Sequence, residues 1–336
     1  MKKTRWWPSR RRMLVWCALL AALPCGYALW TPGWDVRDGR HDRASNGIWL
    51  QHGWLADDSW FVKYHKDPAG FRDAARMAAT VKTLRAHHVR YVFPHLCPSQ
   101  ADGEIAPSDA PQVERFLDAT QQAGIAVLPW VGGVRGSSAR VSQPAWRQRF
   151  AAACAASCVE HPRLAGVHVN IEPMPNGDPD FLLLLEDLRR TLPAGKRISV
   201  AAYPPPTRWQ RVPEVHWDEA YSRQVAARVD QAAIMMYDTS LRTGKLYEQL
   251  VKDWTRETLK WYGGDEVLLG VPAYEDTGVA YHDPATENLE NALIGMHGGL
   301  DPMPANYAGI SVYSEWEMYE SKWVRLNQYF LRHDGH

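Results

Sequence analysis

Residues 166–173 read GVHVNIEP, an apolar run with three polar side chains set into it. Val167, Val169 and Ile171 are β-branched and favour extended backbone. His168, Asn170 and Glu172 fall between them. Strand side chains alternate between two faces. One face is therefore all aliphatic, and the other carries an imidazole, an amide and a carboxylate. Pro173 closes the run.

Seven further strand-like runs surround this one, at 47–54, 90–96, 125–131, 197–203, 231–237, 266–273 and 309–313. Helical patterns lie between them, for example at 68–88, 109–123, 144–159 and 178–192. Strand and helix in alternation imply a parallel sheet. Eight near-equal units over 46–333 match an α/β fold of the (β/α)8 TIM-barrel type. An open doubly wound sheet is the alternative. No Gly-rich phosphate fingerprint supports it, which favours closure. In a closed barrel the aliphatic face of residues 166–172 meets the helices, and the polar face looks inward. Burying an amide and a carboxylate without partners costs several kcal/mol. Such groups are retained when they bond one another and rise toward a site at the C-terminal mouth, where Glu172 falls. A satisfied polar ladder without chemistry is the competing reading.

The 336 residues carry 38 Lys plus Arg and 38 Asp plus Glu, so no charge excess points to nucleic acid. Sixteen Trp and fourteen Tyr are enough for both packing and flat stacking surfaces. Residues 1–30 combine Lys2, Lys3, Arg5 and Arg10 to Arg12 with an apolar stretch over 13–30. That pattern predicts a signal peptide or a single membrane anchor. Ser9 to Leu14 also resembles a twin-arginine signal, with ordinary export the preferred reading. Export predicts a periplasmic or extracellular location. Residues 31–45 read as a polar linker, and 46–336 as one barrel domain. Cys154 and Cys158 sit four apart on a predicted helix and are not expected to form a bridge. Cys97 is expected to be a core thiol. No Cys/His spacing reads as a metal site, and no cofactor is expected.

Five strand segments together resemble family 18 glycoside hydrolases, the chitinase and endo-β-N-acetylglucosaminidase group. "VLPWVGG" ends like that family's S-x-G-G element, with Trp130 in place of its Ser. "AGVHVNIE" lines up with D-G-x-D-x-D-x-E. "IMMYD" matches M-x-Y-D, "LLGVPAY" looks like the l-G-x-P-x-Y segment, and "AGISVYSEWE" is similar to the closing strand, with Tyr313 where Trp is usual. The fourth-strand motif departs from the family. Its three Asp positions are Ala165, His168 and Asn170, and only Glu172 survives. The spacing Asn170-Ile171-Glu172 is similar to that of family 85 endo-β-N-acetylglucosaminidases.

The resemblance implies a carbohydrate partner and a substrate-assisted retaining reaction. Glu172 would be the general acid, with a carboxyl pKa raised by burial. Asn170 would orient the substrate acetamido group. Tyr237 would donate to the acetamido carbonyl, and Asp238 would bind a sugar hydroxyl. Trp130, Tyr203, Tyr313 and Trp316 lie at predicted strand ends, where they could stack on sugar faces. Trp49 and Trp54 lie on the first strand with their sense undecided. Gln51, His52 and His95 are candidate hydroxyl contacts. His168 either supports Asn170 from below or is a satisfied core histidine, the preferred reading. Two rivals stand beside this assignment. One is a two-carboxylate retaining glycosidase using Glu172 and Glu275. The other is a carbohydrate-binding barrel without activity.

Overall fold

The structure is a computed structural model that describes residues 13, 24–96, 99–105, 108–208 and 210–332. Met1–Pro32 and Gly33–His336 form separate units. Most of the expected leader, and Cys97 with its expected core position, lie outside the described residues. Among the described residues no helix is long and apolar enough to cross a membrane.

Nine parallel strands make one sheet: β1 (Asn46–Leu50), β2 (Val89–Pro94), β3 (Ala126–Val127), β4 (Trp130–Val134), β5 (Gly166–Glu172), β6 (Arg197–Ala202), β7 (Gln231–Met235), β8 (Glu266–Pro272) and β9 (Tyr307–Tyr313). The hydrogen-bonded order runs β3-β2-β1-β9-β8-β7-β6-β5-β4. Its two ends, β3 and β4, are consecutive pieces of the third predicted strand, parted at Leu128 and Pro129. Pro129 has no amide hydrogen and cannot extend the ladder, but its carbonyl accepts from His168 N at 2.9 Å. Leu128 N donates to Val92 O at 3.0 Å, and Leu96 N to Trp130 O at 2.9 Å. The interrupted strand is thus bonded to β2 on one side and β5 on the other. The sheet closes, giving the eight-fold barrel that the alternation predicts.

The helices that follow are α1 (Asp58–Lys63), α2 (Ala69–Arg72), α3 (Ala74–Ala86), α4 (Ala110–Gln122), α5 (Pro144–Glu160), α6 (Pro179–Thr191), α7 (Glu219–Ala226), α8 (Gly244–Trp261), α9 (Leu289–Gly299) and α10 (Glu320–Tyr329). Carboxylate caps set several of their starts. Asp178 Oδ1 accepts from Asp180 N and Phe181 N, and Asp218 Oδ1 accepts from Tyr221 N. Each such cap satisfies amides the helix itself leaves unbonded, worth about 1 kcal/mol. The helix expected over 68–88 is divided, because Asp73 is extended there and caps α3 through Arg76 N at 2.6 Å.

Two apolar layers follow from strand alternation. Between sheet and helices lie Val167, Val169 and Ile171 with Ile48, Leu50, Ile234 and Leu269. Inside the barrel lie Trp49, Tyr91, Phe93, Leu128, Trp130, Met235 and Leu268. The aliphatic face of β5 therefore meets the helices, as its sequence requires. Trp49 belongs to the interior, whereas Trp54 packs outside against Phe71 and Phe116, with ring centroids 5.2 and 5.5 Å away.

Residues 33–45 do not run free as a linker. His41 and Asp42 are buried. Asp42 accepts from Arg332 N at 3.1 Å and Asn46 Nδ2 at 3.2 Å, and it pairs with His88. His41 Nδ1 meets His297 Nδ1 at 2.7 Å. The polar composition that suggested a linker instead serves this buried network.

Candidate active site

The inward face of β5 changes character along its length. At depth, His168 is fully buried and stacks on Phe93 at 4.0 Å. Its Nε2 accepts from Trp49 Nε1 at 3.0 Å, and its Nδ1 lies 2.8 Å from Ser199 Oγ. Ser199 donates to Gln231 Oε1 at 2.9 Å, and Gln231 Nε2 reaches Glu266 at 3.2 Å. Burial holds the imidazole neutral, with a pKa lowered to about 3. His168 is thus a satisfied core histidine. It neither supports Asn170 nor reaches the cleft, which corrects its place among the candidate substrate contacts.

One turn of the pleat higher, Asn170 Nδ2 donates to Glu172 Oε1 at 2.7 Å. Asn170 is 6 % exposed, and its Oδ1 has no hydrogen-bond partner. The position depends on Gly132 of β4, whose φ is +127°. A Cβ there would stand 2.1 Å from the Asn170 carbonyl oxygen. Only glycine lets the two strands meet at this level. Glu172 Oε2 accepts from Tyr203 OH at 3.2 Å. Glu172 is exposed at the strand end, yet desolvation of its carboxyl by the surrounding cleft walls raises its pKa. The bonds from Asn170 and Tyr203 oppose the rise, and the charge of Asp238 adds to it.

Glu172, Tyr203, Tyr237 and Asp238 line one cleft of about 530 Å³, with Met235, Gln210, His216 and Tyr281 among its other walls. Four of the predicted residues thus share a cavity of ligand size, and Asn170 stands beside them. Tyr237 stacks on Tyr313 at 5.6 Å with 20° between planes. Trp316 and Trp130 meet Tyr313 edge-on at 5.6 and 6.3 Å, and Trp130 also packs on His95 at 3.9 Å. These rings back the tyrosine wall. His52 pairs with Asp57 at 3.0 Å and packs on His95 at 3.8 Å, away from the lining. Glu275 also lies outside it. It pairs with Lys322 at 2.7 Å and lines a neighbouring depression behind Tyr274. Glu172 and Glu275 therefore do not face one cleft as a two-carboxylate pair would.

Asp238 is held from behind. It adopts a left-handed backbone, φ 62°, and its carboxylate accepts from Tyr274 OH. The next residue, Thr239, donates its amide to both Glu287 oxygens at 3.0 Å. Such backbone costs a non-glycine residue about 1–2 kcal/mol, and these bonds offset it. Tyr274, Tyr281 and Glu287 escaped the sequence analysis as site residues. Tyr274 ends the "LLGVPAY" segment, which was its available signal, while Tyr281 and Glu287 come from a loop without periodicity.

Neither a protein-family profile nor a curated protein sequence matches the chain. Solved structures do. A chitinase from Chromobacterium violaceum aligns at TM-score 0.57 and 15 % identity, over 84 % of this chain and 98 % of that one. The Bacillus cereus spore cortex-lytic enzyme SleL aligns at 0.57 and 11 % identity, over 85 % and 74 %. A fungal endo-β-N-acetylglucosaminidase from glycosyl hydrolase family 18 aligns at 0.53 and 13 % identity, over 84 % and 95 %. At these identities the likeness is one of fold: the chain has the barrel of family 18 glycoside hydrolases.

Proposed function

We propose that the chain is a glycosidase acting on a glycan that contains N-acetylhexosamine, with Glu172 as general acid and then base. One observation carries the reading. Asn170 Oδ1 is a buried acceptor with no partner, beside a carboxyl whose pKa is raised. An unsatisfied buried acceptor costs about 1–3 kcal/mol. The N–H of a substrate acetamido group is a donor that would remove the cost. Asn170 would then hold that nitrogen while the acetamido oxygen attacks the anomeric carbon. Glu172 delivers its proton to the glycosidic oxygen as the bond to the leaving sugar breaks. Water opens the cyclic intermediate from the same side, with Glu172 taking its proton. Tyr237 and Asp238, on the same cleft wall, would bind the acetamido carbonyl and a sugar hydroxyl. The raised pKa suits an acid that must stay protonated near neutrality. The chitinase and endo-β-N-acetylglucosaminidase among the similar structures agree with this substrate class.

The basic, then apolar, leader supports export, either cleaved or kept as an anchor. The test of activity is direct. The protein freed of its leader is incubated with N-acetylglucosamine polymers, and new reducing ends are counted. Release by wild type and none by Glu172→Gln is the expected result. Binding without release, the same in both proteins, would leave only a carbohydrate-binding barrel.

A further inference from the structure

Behind the cleft, Asp238 belongs to a polar cluster whose other members, His282 and Glu287, the hydrolytic reading does not use. Glu287 is 0 % exposed. Its Oε1 accepts from Thr239 Oγ1 at 2.8 Å, in addition to the Thr239 amide. His282, 1 % exposed, stacks on Tyr274 at 4.0 Å. Its Nε2 lies 3.3 Å from the Tyr274 carbonyl oxygen, a group that can only accept. Nε2 therefore carries hydrogen, and in the neutral ring Nδ1 presents a lone pair. That Nδ1 faces Asp238 Oδ1 at 3.6 Å and Glu287 Oε2 at 3.7 Å and makes no hydrogen bond.

Three electron-pair donors thus converge, all within 4.8 Å of one another. Positive charge between them would be stabilised. A proton on Nδ1 is the simplest source, but it would draw one oxygen to about 2.8 Å. Both observed separations are longer. Two ligands each about 2.0–2.2 Å from a shared ion, at tetrahedral to trigonal angles, stand roughly 3.3–3.8 Å apart. The pairs at 3.6 and 3.7 Å fall within that interval. The supports also fit. A metal-binding imidazole commonly anchors its other nitrogen on a carbonyl, and a ligating carboxylate is itself hydrogen-bonded. Tyr274 and Thr239 do these two things here. Asp238, with a 41 % exposed side chain, is the member able to adjust its distance.

We propose that Asp238, His282 and Glu287 bind a divalent cation, for which zinc is the probe that one imidazole and two carboxylates favour. The site joins the rim of the cleft to the loop behind it. No ligand spacing marked it in the sequence, because a loop after β8 brings two of its three members to the end of β7.

The full chain, stripped with a chelator, is titrated with zinc chloride by calorimetry and followed by thermal melting. The expected result is one equivalent bound with a micromolar or tighter Kd and a melting temperature raised by several degrees. His282→Ala and Glu287→Gln should each weaken binding at least tenfold. Both residues are buried, so Asp238→Asn, at an exposed position, is the variant that reads the site if those two fail to fold. It too should weaken binding at least tenfold. Cobalt(II) added to the stripped wild type should give the visible absorption of a nitrogen and oxygen site. No stoichiometric zinc uptake by wild type, or uptake unchanged in Asp238→Asn, overturns the proposal and leaves a proton as the occupant.

Discussion

His168 and Asn170 stand two residues apart on the same face of β5, and their surroundings are opposite in kind. His168 has a partner for each ring nitrogen and lies in a continuous ladder through Ser199 and Gln231 to Glu266. Asn170 spends its amide nitrogen on Glu172 and leaves its oxygen without a partner. Both are buried polar groups, and burial alone would rank His168 as the more unusual. Satisfaction separates them. A completed network contributes rigidity and a fixed register. An incomplete one, at the mouth, retains an acceptor whose remaining cost a ligand can relieve. Position along one strand thus divides a satisfied core group from the one proposed for chemistry.

The contrast can be broken most sharply at Glu172. Replacing it with Gln should lower kcat/KM by about 10²–10⁴, the range for loss of a general acid. The same variant tests the electrostatics. Desolvation at the cleft wall puts the folded pKa of this otherwise exposed residue above the unfolded value of about 4.3, so ionisation weakens the fold as pH rises between the two. Glu172→Gln should therefore melt higher than wild type above that window and show no such gain below about pH 4. A variant that melts lower at neutral pH would mean that the carboxylate is stabilised where it stands.

Asn170→Ala comes next. It removes the proposed acetamido contact and should cost about 10²-fold in kcat/KM on N-acetylated substrates, on the order of a lost electrostatic contact to the reacting group. A substrate without the acetamido group should show no comparable loss. Equal losses on both would show that Asn170 acts only through Glu172.

His168→Leu should behave in the reverse manner. It leaves Trp49 Nε1 and Ser199 Oγ without their present partner and should cost about 1–3 kcal/mol in denaturant unfolding. The folded enzyme should keep its kcat/KM. A large loss of turnover with stability intact would place His168 in the chemistry after all.

The smallest effect belongs to Tyr203→Phe. The hydroxyl favours the ionised carboxylate, so its removal should raise the Glu172 pKa further. The alkaline limb of the pH–rate profile should move upward, with less than a tenfold change at the optimum. A downward movement would contradict the assigned donor.

The sequence exposed much of this division and hid the rest for identifiable reasons. The bounds of β5 and the outward sense of its valines were legible because alternation is rigid and the run is uninterrupted. The split of the third strand was not, since Pro129 breaks a ladder without breaking the path of the chain. Trp49 and Trp54 resisted assignment, and Trp130 reads as a stacking surface, because a large ring serves a core or a cleft equally well, and only placement decides. Tyr203 was read as a flat stacking surface, whereas its hydroxyl is the feature that meets Glu172. Residues 281–287 showed nothing, because a loop without periodicity acquires its neighbours only when the barrel closes.

The Asp42 network has a practical bearing on how the chain could be matured or shortened. It fastens the approach to β1 onto Arg332, just beyond the last helix, so the two extremities of the barrel share a single buried carboxylate. Removal of residues 1–32 spares that clasp. Trimming back to residue 46 would discard it and unfasten both extremities together.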